Sequence, residues 1–361
     1  MSDARGGWLR RHWLKLLASL LVAGGFVWLL RQGALPIVPP ASAFSKVRWW
    51  TLPVYVLLWS SVHVIRAVRW QWLLAPIHPV PLRRVVAVAW IGFAAILLLP
   101  FRTGEAVRPV LIRRKGQLSA WAATGTVGAE RVIDGFCMSV MLLVALLAST
   151  PLDPLPSSIG ALPIPAAIVP GAAYSALAVF GAAFLVMGVF YWRRALARSL
   201  TERVVGLVSK KLAVWLAERV EKVASGLSFL PRWRFSAPFL AMTVSYWLLN
   251  AGATWLLAWG AGFDRITYVE ACVSMGVLAL GILVPNAPGF FGAFQISIYA
   301  GLAMYFPPDL VVGPGSAFVL LIYVSQIVIT GAAAGLGLVW ERTSVGEALD
   351  AEPEDLDGAD G

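Results

Sequence analysis

The chain has 361 residues, of which 59% are hydrophobic and only 13% charged, against roughly 25% charged in soluble domains. That balance excludes a soluble catalytic module and leaves an integral membrane protein. The formal charge of +10 does not make it a nucleic-acid binder, because the basic residues flank apolar runs and form no single aromatic-interleaved patch.

The first apolar run, Leu14 to Leu30, follows Arg10-Arg11-His12-Trp13-Leu14-Lys15. This start loosely resembles a twin-arginine export signal, and Ala41-Ser42-Ala43 resembles a cleavage site. The run is long, and the site lies well beyond it, so an uncleaved first span with its basic flank inside is expected. A second run covers Thr51 to Ile65.

The next apolar segment breaks at Leu99-Pro100-Phe101-Arg102-Thr103-Gly104-Glu105. Val85 to Leu99 would make a helix of about 22 Å. That falls short of a hydrocarbon core of about 30 Å, as a half-helix should. Full spans are expected again at Ala122 to Ser149 and Ala166 to Trp192. Between Arg193 and Arg234, Leu196, Leu200, Val204, Val208, Leu212 and Trp215 recur at helical spacing among basic residues. This connector (193–235) reads as one or two amphipathic helices on the inner leaflet, held by anionic lipid.

Pro238 to Trp259 forms a further span. A second interrupted segment follows at Val284-Pro285-Asn286-Ala287-Pro288-Gly289-Phe290-Phe291-Gly292. The last span is Ser316 to Trp340, with tryptophans at several span ends as interfacial anchors. Residues 341–361 form an acidic tail without apolar periodicity, expected to be disordered. Seven of the 19 acidic residues fall between Gly346 and Gly361, so the membrane body is more basic than the net charge states.

The fold expected is an all-α polytopic membrane protein of about six full spans plus two re-entrant broken hairpins. Interrupted helices at matched places in two halves point to a transporter site, because breaks expose backbone dipoles at membrane depth. The halves, about 14–149 and 166–340, share one plan and would be inverted repeats. With the first hairpin entering from the cytoplasm, inner segments carry Arg10, Arg11, Arg66, Arg69, Arg83, Arg84 and the Arg113-Arg114-Lys115 run. Outer segments then carry only Arg31, Lys46, Arg48 and Arg265. The positive-inside rule thus places both termini in the cytoplasm and the chain in the cell membrane.

Charges at membrane depth are costly and tend to be paired or functional. They cluster twice: Arg102, Glu105 and Arg108 at the first break, and Glu130, Arg131 and Asp134 in the next span. Helical spacing puts Glu105 with Arg108, and Glu130 with Asp134, on shared faces. These charges either neutralise each other as an ion network or present arginine to an anionic group, and the planar guanidinium suits a phosphate. Asn286, Gly289 and Gln295 of the second hairpin are further candidates, with Pro100, Gly104, Pro285, Pro288 and Gly292 as the hairpin breaks. Cys137 and Cys272 lie in apolar runs and read as small buried residues. His12, His63 and His78 have no metal-ligand spacing, so neither metal nor cofactor is expected.

Gly104-Glu105-Ala106-Val107-Arg108, Glu130-Arg131-Val132-Ile133-Asp134, Pro288-Gly289-Phe290-Phe291-Gly292 and Arg69-Trp70-Gln71-Trp72-Leu73-Leu74 together resemble the lysylphosphatidylglycerol synthase transmembrane region, a flippase-like family. The resemblance runs from about Leu14 to Trp340. It implies a lipid-translocase-like domain, fused in some members to a cytosolic synthase that is not expected here. Family members often carry glycine where Phe290 stands and an acidic residue where Gln295 stands. Those differences imply a head group or coupling ion other than that of a lysyl-lipid; polyprenyl-linked sugars and hopanoid pathways are associated with other relatives.

A lipid-modifying enzyme is the competing expectation, but no H-E-x-x-H, P-loop or CDP-alcohol phosphotransferase signature is present. A scaffold for a biosynthetic partner enzyme, or a homo-oligomer, is the third. Gly331-Ala332-Ala333-Ala334-Gly335 is a small-residue helix-packing motif that fits either internal packing or a dimer face.

Overall fold

A computed structural model describes residues 21–99, 104–113, 117–193, 195, 199, 202–203, 207, 209–283 and 287–342, and the backbone alone at 211–212. Every regular element among these is helical, apart from one isolated bridge between Ile159 and Leu162. The helices are α1 (Leu21–Gln32), α2 (Thr51–Val68), α3 (Gln71–Leu74), α4 (Leu82–Leu98), α5 (Val107–Ile112), α6 (Ala120–Ala148) and α7 (Ile168–Trp192). After the connector come α8 (Lys210–Ser225), α9 (Trp233–Gly260), α10 (Tyr268–Gly281), α11 (Ala293–Ala303), α12 (Pro308–Val312) and α13 (Pro314–Glu341).

Among the described residues, four stretches are long and apolar enough to cross a membrane: Thr51–Leu74, Ala120–Ala148, Ile168–Trp192 and Pro308–Glu341. The 28-residue α9 has the length as well. Pro238 sits in its second turn. Residues 14–20 of the expected first span, most of 194–208 in the connector, and the acidic tail from 343 lie outside the described residues. So do Pro100, Arg102, Pro285 and Asn286 at the hairpin tips.

The two interrupted segments fold back on themselves from opposite ends of the molecule. Arg84 at the start of α4 donates from Nη2 to the carbonyl of Leu111 at the end of α5, 3.1 Å away. The same end of the molecule holds Glu341, 3.5 Å from Arg84. The second hairpin starts after Phe263 and finishes at Phe306, and these two rings pack edge to face with centroids 4.8 Å apart. Close by, Arg48 bonds Asp264 at 2.7 Å and lies 3.9 Å over the Trp259 ring. At about 1.5 Å per residue, α4 and α10 are roughly 25 and 21 Å long, too short for a full crossing.

Packing between the two parts is reciprocal. The final span α13 lies along α4 of the first hairpin, while α6 lies along α10 of the second. Of the other long helices, α7 packs on α6, and α2 and α9 pack against each other. Two large apolar clusters result, one around Phe263, Tyr299 and Phe318, the other around Trp70, Phe229 and Phe239.

Glycines allow the closest approaches. A Cβ on Gly125 of α6 would strike the carbonyl oxygen of Val223, so the amphipathic α8 seats backbone to backbone on that span. A Cβ on Gly92 of α4 would collide with the side chain of Arg108, which crosses at that point into the interior. Local caps set the helix starts. Ser119 accepts from the amide of Ala122 at the head of α6, and Thr267 and Glu270 form a capping box on α10.

Candidate functional site

The interior is organised by α6, where Glu130 and Asp134 share a face. Glu130 is fully buried, and so are Arg69 and Arg108. Arg108 reaches across Gly92 and donates from Nη1 to Oε1 of Glu130 at 3.0 Å and from Nη2 to Oε2 at 2.9 Å. Its guanidinium lies 4.1 Å over the Trp70 ring. Arg69 at the end of α2 makes the second fork, donating from Nη1 and Nη2 to the two oxygens of Asp134, each at 2.6 Å. Its Nη1 also donates to Oγ1 of Thr243 on α9 at 2.7 Å, and its Nη2 lies 3.2 Å from Glu130.

These two bidentate pairs tie α2, α5, α6 and α9 together. Planar forks are the geometry that best compensates a buried carboxylate. Aromatic faces complete the enclosure, with Arg69 lying 4.7 Å over Tyr246 and 5.1 Å over Phe239. Trp70 is itself held by its indole N–H, which donates to Thr126 at 2.9 Å.

Beside this network lies a cavity of about 360 Å³. That is at the lower end of the roughly 300–1,000 Å³ of ligand sites. Both hairpins reach it: Ile96 and Leu97 from α4, Glu105 just before α5, and Gly289 and Phe290 from the second break. Spans α2, α6 and α9 supply Arg66, Arg131 and Asn250.

Most of the wall is apolar. Arg131 keeps a longer contact, 3.3 Å from Nη2 to Glu130, and its side chain is 23% exposed. Arg66 is flanked by ring faces, 4.7 Å over Phe93 and 5.8 Å over Tyr246. Arg66, Arg69, Arg108 and Arg131 together face Glu105, Glu130 and Asp134. Among the described residues, four arginines against three carboxylates leave the cluster with a formal surplus of positive charge.

The expected site residues therefore separate into groups. Glu105, Arg131, Asp134 and Gly289 line the cavity. Arg108 and Glu130 are closed off behind it as a bidentate pair. Gln295 is buried in α11, where its Oε1 accepts the amide of Gly292 at 2.6 Å, and it does not reach the cavity wall. Pro288 opens the short 3-10 turn Pro288–Phe290. Gly292 has φ 87° and lies against Phe26 of α1, while Gly104 abuts the backbone of Ala95.

One placement is corrected. Arg66 and Arg69 were expected among the inner flanking charges; instead Arg69 is wholly buried in the ion network and Arg66 faces the cavity. Their three-residue spacing, which stacks them on one face of α2, was the available signal. His63, Trp247 and Asn250 also line the cavity, and nothing in their immediate sequence marks them.

Phe290 has φ 56°, directly after Gly289 at φ 74°. Left-handed backbone costs a residue with a Cβ about 1–2 kcal/mol. The chain thus holds an aromatic ring against the cavity where a glycine would relieve the backbone.

A helical protein with several helices of spanning length, two opposed hairpins and a buried charged cluster beside a cavity is a multi-pass membrane protein. The family model described as the lysylphosphatidylglycerol synthase TM region matches residues 16–338, and the chain belongs to that family. No curated protein and no solved structure matches it.

Proposed function

We propose that this protein translocates a lipid or lipid-linked substrate with an anionic, phosphate-type group across the cytoplasmic membrane, without a catalytic step of its own. The observation that carries this reading is the cavity where the two hairpins meet, with Arg66 and Arg131 facing an otherwise mostly apolar wall. A guanidinium in low dielectric has a strong claim on a phosphate, because both its charge and its paired donors are then satisfied.

In this reading the two halves are inverted repeats, and the reciprocal packing of α13 on α4 and α6 on α10 supports that relation. Movement of the second hairpin against the first would expose the cavity alternately to the two leaflets. The bidentate pairs keep α2, α5, α6 and α9 together as one body during that motion. Both termini would lie in the cytoplasm, with Lys210, Arg219 and Lys222 of α8 against anionic lipid of the inner leaflet.

Native mass spectrometry of lipids retained by gently purified protein tests this reading. Enrichment of one phosphate-bearing lipid class over its share of the bulk membrane is expected. A retained population that mirrors the bulk membrane would point to a scaffold with a purely structural ion network.

A further inference from the structure

The cavity contains a second set of polar groups that the ion network does not use. His63 is 3% exposed, and both of its ring nitrogens lack a hydrogen-bond partner among the described residues. The indole N–H of Trp247 and Oδ1 of Asn250 are likewise buried and unpartnered. All three residues line the cavity, on the facing helices α2 and α9.

His63 and Arg66, one turn apart on α2, share the Phe93 ring. The imidazole meets it edge to face at 5.3 Å and the guanidinium covers it at 4.7 Å. The His63 ring also stacks on Trp59 at 5.2 Å. A cationic end and a neutral hydrogen-bonding end therefore adjoin within one cavity.

From this juxtaposition we infer that the substrate's phosphate carries an uncharged, hydroxylated head group, a glycerol, cyclitol or sugar. Its hydroxyls would pair with His63, Trp247 and Asn250. The inference rests on the translocation reading above and names the substrate class of the same site.

Hydroxyls suit this wall because they both donate and accept, and the wall offers an indole donor, an amide acceptor and an imidazole that does either. Aromatic faces give the C–H side of such a group an apolar surface. An ammonium-bearing head group fits poorly. Asp134 already bears the Arg69 fork, and the arginines facing the cavity repel a second cation.

The test is titration of the purified full chain in detergent with short-chain phosphatidylglycerol, phosphatidylinositol, phosphatidylserine and phosphatidic acid, read by tryptophan fluorescence and thermal unfolding. Phosphatidic acid bears the greatest charge and no head group, so a site that reads charge alone favours it. The wild type is expected to bind at least one of the two polyol lipids about tenfold more tightly than phosphatidic acid or phosphatidylserine.

Trp247→Phe combined with Asn250→Leu should abolish that preference, bringing the affinity for the polyol lipid down to that for phosphatidic acid. The unfolding temperature should hold, because neither Nε1 nor Oδ1 bonds anything in the protein that would be orphaned. Equal or tighter binding of phosphatidic acid by the wild type overturns the inference and leaves the anionic-lipid reading standing. A preference that survives the double substitution overturns it equally. Binding of none of the four lipids removes both.

Discussion

Glu130→Ala is expected to cost the protein its folded state in detergent. Glu130 accepts both donors of the Arg108 fork, and Arg69 and Arg131 lie 3.2 and 3.3 Å from the same Oε1. Removing the carboxylate leaves the buried Arg108 guanidinium without its ionic partner and takes one contact from each of Arg69 and Arg131. Breaking a buried pair from one side costs about 3–5 kcal/mol, because the surviving charge stays buried without compensation. That is a large part of a typical folding free energy of about 5–15 kcal/mol.

Thermal unfolding and size-exclusion chromatography would read the loss directly. Glu130→Gln, which keeps the shape and one acceptor, should fall between the wild type and the alanine variant. Replacing both Arg108 and Glu130 by methionine should recover part of the loss, since removing both partners of a buried pair is often close to neutral. An unchanged unfolding temperature for Glu130→Ala would mean that the network is not what holds α5 to α6.

Arg131→Ala should do the opposite, sparing the fold and removing the ligand. Arg131 contributes the longest contact to the Glu130 carboxylate and faces the cavity with its side chain partly exposed. The expected loss is one hydrogen-bonded charge contact to an anionic group, about 2 kcal/mol or roughly thirtyfold in affinity. Retention of the enriched lipid should fall accordingly, with little change in unfolding temperature. Glu105→Ala tests the carboxylate on the same wall and is also expected to abolish transport while inserting normally. Undiminished lipid retention by a well-folded Arg131→Ala protein would remove Arg131 from the site.

Much of the architecture is legible in the chain because the solvent dictates it. Apolar runs of spanning length announce the long helices, and prolines with glycines at Leu99-Pro100 and around Pro288 announce the hairpins. The charges of α6 were readable as a cluster because helical spacing puts Glu130 and Asp134 on one face.

Arg69 was misplaced for a physical reason. It stands at the end of an apolar run, where the positive-inside rule counts arginine as a loop residue, yet α2 and α3 continue inward as far as Leu74. Its partner Asp134 is 65 residues away in sequence, a pairing that no local pattern encodes. Trp247 and Asn250 escaped notice because α9 is apolar on nearly every side, which hides any polar face behind a weak periodicity. Gln295 was read by its position beside a hairpin break, and its amide serves the backbone of that break instead.

The most direct test of the central claim is lipid translocation by the full chain in proteoliposomes carrying head-group-accessible, fluorescently labelled phosphatidylglycerol in both leaflets. Dithionite quenches only the label exposed outside. The account predicts that wild-type vesicles lose label well beyond the outer-leaflet fraction, and that Arg131→Ala vesicles stop at that fraction like protein-free ones. Quenching by wild-type vesicles that stops at the outer leaflet, or that proceeds equally with Arg131→Ala, would contradict it.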